Sequence, residues 1–131
     1  MTRPAEILIV EDNERNMRLV RDVLEHHGYA TLAATSGEDG VAIACSRHPA
    51  LILMDVQLPG IDGVEALGRL RAEASTADIP VVALTAFAMR EDRERLLAAG
   101  FDGYLEKPLD VPAFPGQIAA LLDGAGPEAR P

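Results

Sequence analysis

Five short aliphatic runs alternate with segments of helical periodicity along this chain, and that alternation leaves few folds open. The runs are "EILIV" (6–10), "ATLAA" (30–34), "ALILM" (50–54), "PVVAL" (80–84) and "DGYLE" (102–106). Two of them, 50–54 and 80–84, are apolar throughout and 6–10 is so after its first residue, which is how strands covered on both faces read. Between the first two, Met17, Val20 and Leu24 recur at i, i+3 and i+7, ahead of a glycine at 28 placed for a left-handed C-terminal residue. Ser36 with Asp39, and Asp62 with Glu65, have the spacing of N-terminal caps, and the second leads into Val64, Leu67 and Leu70 on one side. Pro49 closes the second helix, and a fourth helix is predicted over Met89–Ala99 with Gly100 as its stop. Strict alternation of this kind over 131 residues predicts one α/β domain. Its sheet is a doubly wound, five-stranded parallel one with right-handed crossovers and five helices on its two faces. The strands are too few for an eight-stranded barrel. In the last helix, "LDVPAFPGQIAALL", Asp110 is expected as N-cap with Pro112 in the first turn, and Pro115 followed by Gly116 is expected to make the helix start late or bend. The domain is expected to occupy residues 1–122, with 123–131 as a flexible tail.

Composition excludes several classes of function. The formal net charge is -9, and the Lys and Arg residues are dispersed. No basic stripe exists to release phosphate counterions, so binding to nucleic acid, or to an anionic membrane surface, is not expected. Aromatic residues make up 4% of the chain and Trp is absent, so the core must be aliphatic. The one cysteine, Cys45, forbids an intrachain disulfide, fits a reducing cytoplasm, and reads as a small buried apolar residue on a helix. No apolar run approaches the 18 residues or so of a membrane span. A soluble cytoplasmic protein is expected. His26, His27 and His48 fall at helix ends and read as solvated polar residues.

The polar residues that follow the strands are the informative ones. In an open parallel sheet, ligands bind beyond the carboxyl ends of the strands. After the first run come Glu11 and Asp12; after the third, Asp55; after the fourth, Thr85; after the fifth, Lys107. The second contributes only a helix cap. Three carboxylates, a hydroxyl and an ammonium are thereby directed to one edge. Two carboxylates about 4 Å apart repel by roughly 4 kcal/mol at an effective dielectric near 20, so one lysine cannot offset three. Either some protonate or a divalent cation sits among them. The donors are hard oxygens, suited to Mg²⁺ or Mn²⁺ and not to zinc. A metal held by acids, with a lysine and a hydroxyl opposite, suits a phosphoryl group. Asp55, alone at its strand end, is the natural nucleophile toward phosphorus, while Glu11 and Asp12 hold the metal.

Taken together, "LIVEDN", "LILMDVQLPGIDG", "VVALTA" and "YLEKP" resemble, in order and spacing, the response-regulator receiver domain of two-component signalling, over about residues 6–122. Within that family, "VEDNERNMRL" and "ALTAFAM" are most similar to the DivK type, a stand-alone cell-cycle regulator, and to receivers attached to hybrid kinases. The resemblance implies the flavodoxin-like receiver fold with strand order 2-1-3-4-5. It implies that Asp55 accepts phosphate from a phosphohistidine of a histidine kinase or histidine phosphotransfer protein. Mg²⁺ is then held by Glu11, Asp12, Asp55 and the backbone carbonyl of Gln57. Thr85 and Lys107 take the phosphoryl oxygens, Tyr104 is the aromatic switch that follows Thr85, and the Lys107–Pro108 peptide is cis. The signal is expected to leave through a downstream protein target, as a monomer or a phosphorylation-dependent dimer, with no turnover of substrate. The rival is a Mg²⁺-dependent phosphohydrolase with an aspartyl-phosphate intermediate. Such enzymes place a second Asp two residues after the nucleophile, where this chain has Gln57. A flavodoxin-like electron carrier is weaker still, because no Ser/Thr-rich phosphate loop follows the first strand. Phe87 is expected to shield the site's mouth from water.

Overall fold

A computed structural model of the protein describes residues 5–86 and 89–123. Strands and helices alternate in the order β1 (Glu6–Val10), α1 (Glu14–His26), β2 (Ala30–Ala34), α2 (Gly37–Arg47), β3 (Leu51–Asp55), α3 (Gly63–Ala72), β4 (Val81–Thr85), α4 (Arg90–Ala99), β5 (Gly103–Glu106) and α5 (Phe114–Leu122). The five strands form one parallel sheet in the order β2-β1-β3-β4-β5. The expected fold class and strand order are both observed.

Side chains alternate across this sheet with the two-residue period of a strand, and each set meets its own helices. Ile7, Ile9, Leu51, Leu53, Val82, Leu84 and Leu105 face Met17, Val20 and Leu24 of α1 together with Phe114, Ile118 and Leu121 of α5. Leu8, Val10, Ile52, Met54, Val81 and Ala83 face the other way, onto Ala44 of α2, Ala66, Leu67 and Leu70 of α3 and Leu96 of α4. The central strands β3 and β4 are buried along their whole length, which explains why each is apolar up to its last residue. Each fully buried Leu or Ile contributes about 1.5–3 kcal/mol of transfer free energy, so these two layers are the main stabilising term.

Local signals set most boundaries. Ser36 Oγ accepts from Asp39 N (3.1 Å) and Asp62 Oδ1 from Glu65 N (2.9 Å), so both expected caps form. Gly28 has φ +90° and Gly100 φ +113°, as left-handed stops require. At the end of α2 the left-handed position falls instead on His48 (φ 50°), just before Pro49. Three details differ from the expected pattern. Strands β3 and β4 run one residue later, because Asp55 pairs with Leu84 and Thr85 with Glu106 in the ladder. Helix α5 starts late, at Phe114, as expected from Pro115 and Gly116, but its N-cap is Ala113 rather than Asp110, and Pro115 lies in the first turn, where a missing N–H is harmless. Asp110 instead caps the preceding turn, its carbonyl accepting from Ala113 N and Phe114 N (3.0 and 2.9 Å). Cys45 is half-buried rather than buried. The expected tail lies, from residue 124 onward, outside the described residues, as does Phe87.

Candidate functional site

The parallel register brings the ends of β1, β3, β4 and β5 to one rim. Val10 lies beside Met54, Asp55 beside Leu84 and Thr85 beside Glu106, so Glu11, Asp55, Thr85 and Lys107 emerge at nearly the same height. Backbone hydrogen bonds continue past the strands and hold each residue there. Glu11 N donates to Ala34 O (3.0 Å), Val56 N to Leu84 O (3.1 Å), and Lys107 N to Thr85 O (2.8 Å). The last of these ties the lysine's backbone directly to the threonine's. The Lys107–Pro108 peptide is cis.

Between these ends lies an open cleft of about 280 Å³, whose lining includes Asp12, Asn13, Asp55, Gln57, Thr85 and Lys107. Glu11 (1% exposed) and Asp55 (6%) are taken out of water while Asp12 is exposed. One carboxylate oxygen from each of Glu11, Asp12 and Asp55 can be chosen so that all lie within 4.8 Å of one another. Lys107 Nζ donates to Asp55 Oδ2 at 2.9 Å and sits 2.8 Å from Glu11 Oε1. The approach to Glu11 is a charge contact without a directed hydrogen bond, so this buried oxygen keeps an unused lone pair. The second oxygens are held by the backbone: Gln57 N donates to Asp55 Oδ1 (3.0 Å) and Asn13 N to Glu11 Oε2 (3.3 Å).

These surroundings move two ionisation equilibria. Burial raises the Glu11 pKa above its ordinary value, and the adjoining Asp55 carboxyl raises it further, while Lys107 offsets part of the effect. Burial works against the Lys107 ammonium, yet the Glu11 and Asp55 carboxylates beside it outweigh that and its pKa is raised. Three carboxylates against one ammonium leave two negative charges uncompensated (3 − 1 = 2). A hard divalent cation fits the donors present: three carboxylate oxygens, one of them a buried atom lacking a hydrogen bond, at an open cleft where waters can complete the shell.

The structure therefore gathers Glu11, Asp12, Asp55, Thr85 and Lys107 at one place, with Gln57 on its border. Tyr104 lies apart. It pairs with Ala83 on β4 and is half-buried against the layer of α2, α3 and α4. The histidines lie at the helix ends, hence at the opposite rim of the sheet. Two polar residues of the cleft escape a reading of the sequence, Asn13 and Asn16. Asn13 Oδ1 accepts from Asn16 N (3.0 Å) as the N-cap of α1 and so fixes the first turn of that helix beside Asp12. The signal was an Asn directly before a helical run.

Similarity to known proteins agrees with this geometry. Residues 7–118 match the family described as response regulator receiver domain. The chain is 44% identical, over 119 residues, to the polar-differentiation response regulator DivK of Brucella ovis, a match covering 91% of this chain and 97% of that one. Among solved structures, the receiver domain of a sensor histidine kinase from Pseudomonas aeruginosa is similar at a TM-score of 0.83 and 35% identity, over 93% of this chain and 99% of that one. A magnesium ion is coordinated in the active-site cleft of that structure. The receiver domain of a signal transduction histidine kinase from Syntrophus aciditrophicus is similar at a TM-score of 0.82 and 32% identity, over 92% of this chain and 91% of that one.

Proposed function

The chain belongs to the response-regulator receiver family of two-component signalling, and from that premise we propose that Asp55 is its phosphoacceptor, supplied by a phosphohistidine of a histidine kinase or histidine phosphotransfer protein. The observation that carries this reading is the setting of Asp55. It is nearly buried at the end of a central strand, with one oxygen on Lys107 Nζ and the other on a backbone N–H, and with two further acids at its side.

Glu11, Asp12 and Asp55, with the backbone carbonyl of Gln57, would hold Mg²⁺, and Mn²⁺ would serve by the same oxygen chemistry. The ion, when bound, neutralises the crowded carboxylates and the charge on a phosphoryl group. The protein's own residues do the rest. An Asp55 carboxylate oxygen attacks phosphorus in line with the imidazole nitrogen; the P–N bond breaks, its electron pair stays on the imidazole, and an acyl phosphate forms. Lys107 faces the transferred oxygens, and its raised pKa keeps it charged throughout the neutral range. Thr85, buried at the end of β4 and tied to Lys107 through its carbonyl, is the hydroxyl that turns to the new oxyanion. Tyr104 follows Thr85, and the outer surface of β5 and α5 changes for a downstream protein to read.

On this reading the protein signals rather than turns over substrate, works in the cytoplasm as a monomer or phosphorylation-dependent dimer, and binds neither nucleic acid nor membrane. Among the described residues no helix is long and apolar enough to cross a membrane. Gln57 bears on the enzymatic rival, since an amide in that position cannot shuttle a proton.

Incubation with Mg²⁺ and acetyl phosphate tests the proposal. One base-labile adduct is expected by mass spectrometry, absent from Asp55→Asn. No adduct, or an adduct that survives this substitution, would overturn it, and rapid multiple turnover of small phosphate esters would favour the phosphohydrolase.

A further inference from the structure

We propose that Arg93 is a positioning residue whose guanidinium holds the Tyr104 ring in its present half-buried place and so opposes the passage to the phosphorylated state. This rests on the role of Tyr104 given above and adds to it the element that sets the balance.

The guanidinium carbon of Arg93 lies 5.4 Å from the centroid of the Tyr104 ring, inside the range of a cation–π contact. The other arginines of α4 engage acids on their own helix: Arg90 pairs with Glu94 and Arg95 with Asp92, both at 3.1 Å. Arg93 turns to the sheet. Helix α4 is also lightly held. Leu96 is its one buried residue among those described, and Met89 at its N-cap offers no side-chain hydrogen bond to the first turn. The cation–π contact joins its middle to β5. If Tyr104 moves inward after Thr85, its ring leaves the guanidinium. The contact then favours one state over the other, as a group must to shift an equilibrium. An exposed cation–π pair corresponds to about a two- to fivefold bias.

The chain offers its own reporter, having no Trp and two Tyr. In a Tyr29→Phe background, ultraviolet-excited tyrosine emission comes from Tyr104 alone. Anisotropy is measured without metal, and beryllofluoride is then titrated in the presence of Mg²⁺. Arg93→Met is expected to lower the anisotropy of the metal-free protein and to move the beryllofluoride midpoint two- to fivefold lower. Arg93→Lys is expected to restore part of both. In a Tyr104→Leu background, followed by thermal shift, Arg93→Met is expected to leave the midpoint where it was. An unchanged or higher midpoint for Arg93→Met overturns the proposal whatever the anisotropy does, provided that the parent emission responds to beryllofluoride. No response of the parent emission at all would remove the switch role of Tyr104 and this proposal with it.

Discussion

Lys107 is the one ammonium set between two buried carboxylates, and its worth depends on what else is bound. It stands between Glu11 and Asp55 at 2.8 and 2.9 Å. Lys107→Met removes a partner and leaves the acids facing one another, so stability without metal should fall by about 1–3 kcal/mol. Millimolar Mg²⁺ should recover much of that loss, which urea unfolding with and without the ion would measure. A loss unaffected by Mg²⁺ would contradict the cation's place among the acids. Glu11 adds a pH dependence. Burial and Asp55 raise its folded-state pKa above 4.5, so folding favours its protonated form. Its contribution to stability is therefore full below 4.5 and is lost as pH rises through the raised value. Metal binding runs the other way, because the ion needs the carboxylate. Affinity for Mg²⁺ should decline on acidification before pH 4.5 is reached, and calorimetric titration across pH 4 to 7 would show a flat profile if this were wrong. At this scale the acids, the threonine and the lysine were legible, since each is an unlikely residue beside a buried strand. Asn13 and Asn16 were not, because a short polar residue before a helix reads as a cap, which Asn13 also is, and one in the first turn, as Asn16 is, reads as part of a solvated face.

Among the elements, α3 shows how a glycine at the start of a helix serves the site. A Cβ at Gly63 would stand 2.5 Å from the Asp55 carbonyl oxygen and 2.9 Å from the Val56 Cα. Both are backbone atoms, so neither can turn aside. The close approach is fixed by Gly63 N donating to Val56 O (3.0 Å), which folds the β3–α3 connection back onto the strand end. Gly63→Ala should therefore cost about 2 kcal/mol or more and disturb the carbonyls beside Asp55, weakening Mg²⁺ binding as well as stability. Gly68 in the middle of α3 and Gly116 in α5 meet nothing within 4 Å. Ala at either position should stabilise by about 0.4–1 kcal/mol through the unfolded chain, with phosphorylation unchanged; denaturant midpoints separate the two outcomes. Helix spacing and caps made the elements readable. The one-residue displacement of β3 and β4 was not, because Asp55 and Thr85 are polar residues that the ladder nonetheless pairs.

The whole molecule has two rims with separate tasks. Opposite the acids, Arg71 gathers the loops at the amino ends of β4 and β5. Its Nη1 donates to Ala77 O and Ile79 O (3.0 and 2.7 Å), and its Nη2 to Gly100 O and Asp102 Oδ2 (3.2 and 2.7 Å). Asp102 Oδ2 in turn accepts from Val81 N (2.8 Å), at the start of β4. Arg71→Met should lower stability by about 1–3 kcal/mol while Mg²⁺ affinity at the far rim stays within twofold, measured by urea unfolding beside metal titration. Nothing in the residues around position 71 announced this role, for its partners are mostly carbonyls that only folding brings near. The same division holds for the molecule as a whole. Composition and periodicity determined the α/β class, because a parallel sheet needs apolar strands and a helix between each pair. The motif residues determined the chemistry, because acids beside buried strands call for a cation. What only tertiary structure decided was distance: the 2.8 Å between Lys107 and Glu11, 96 residues apart (107 − 11 = 96), and the ring of Tyr104 beneath Arg93. Such contacts depend on register and helix placement, which follow from packing of the whole core and leave no mark on any one stretch of chain.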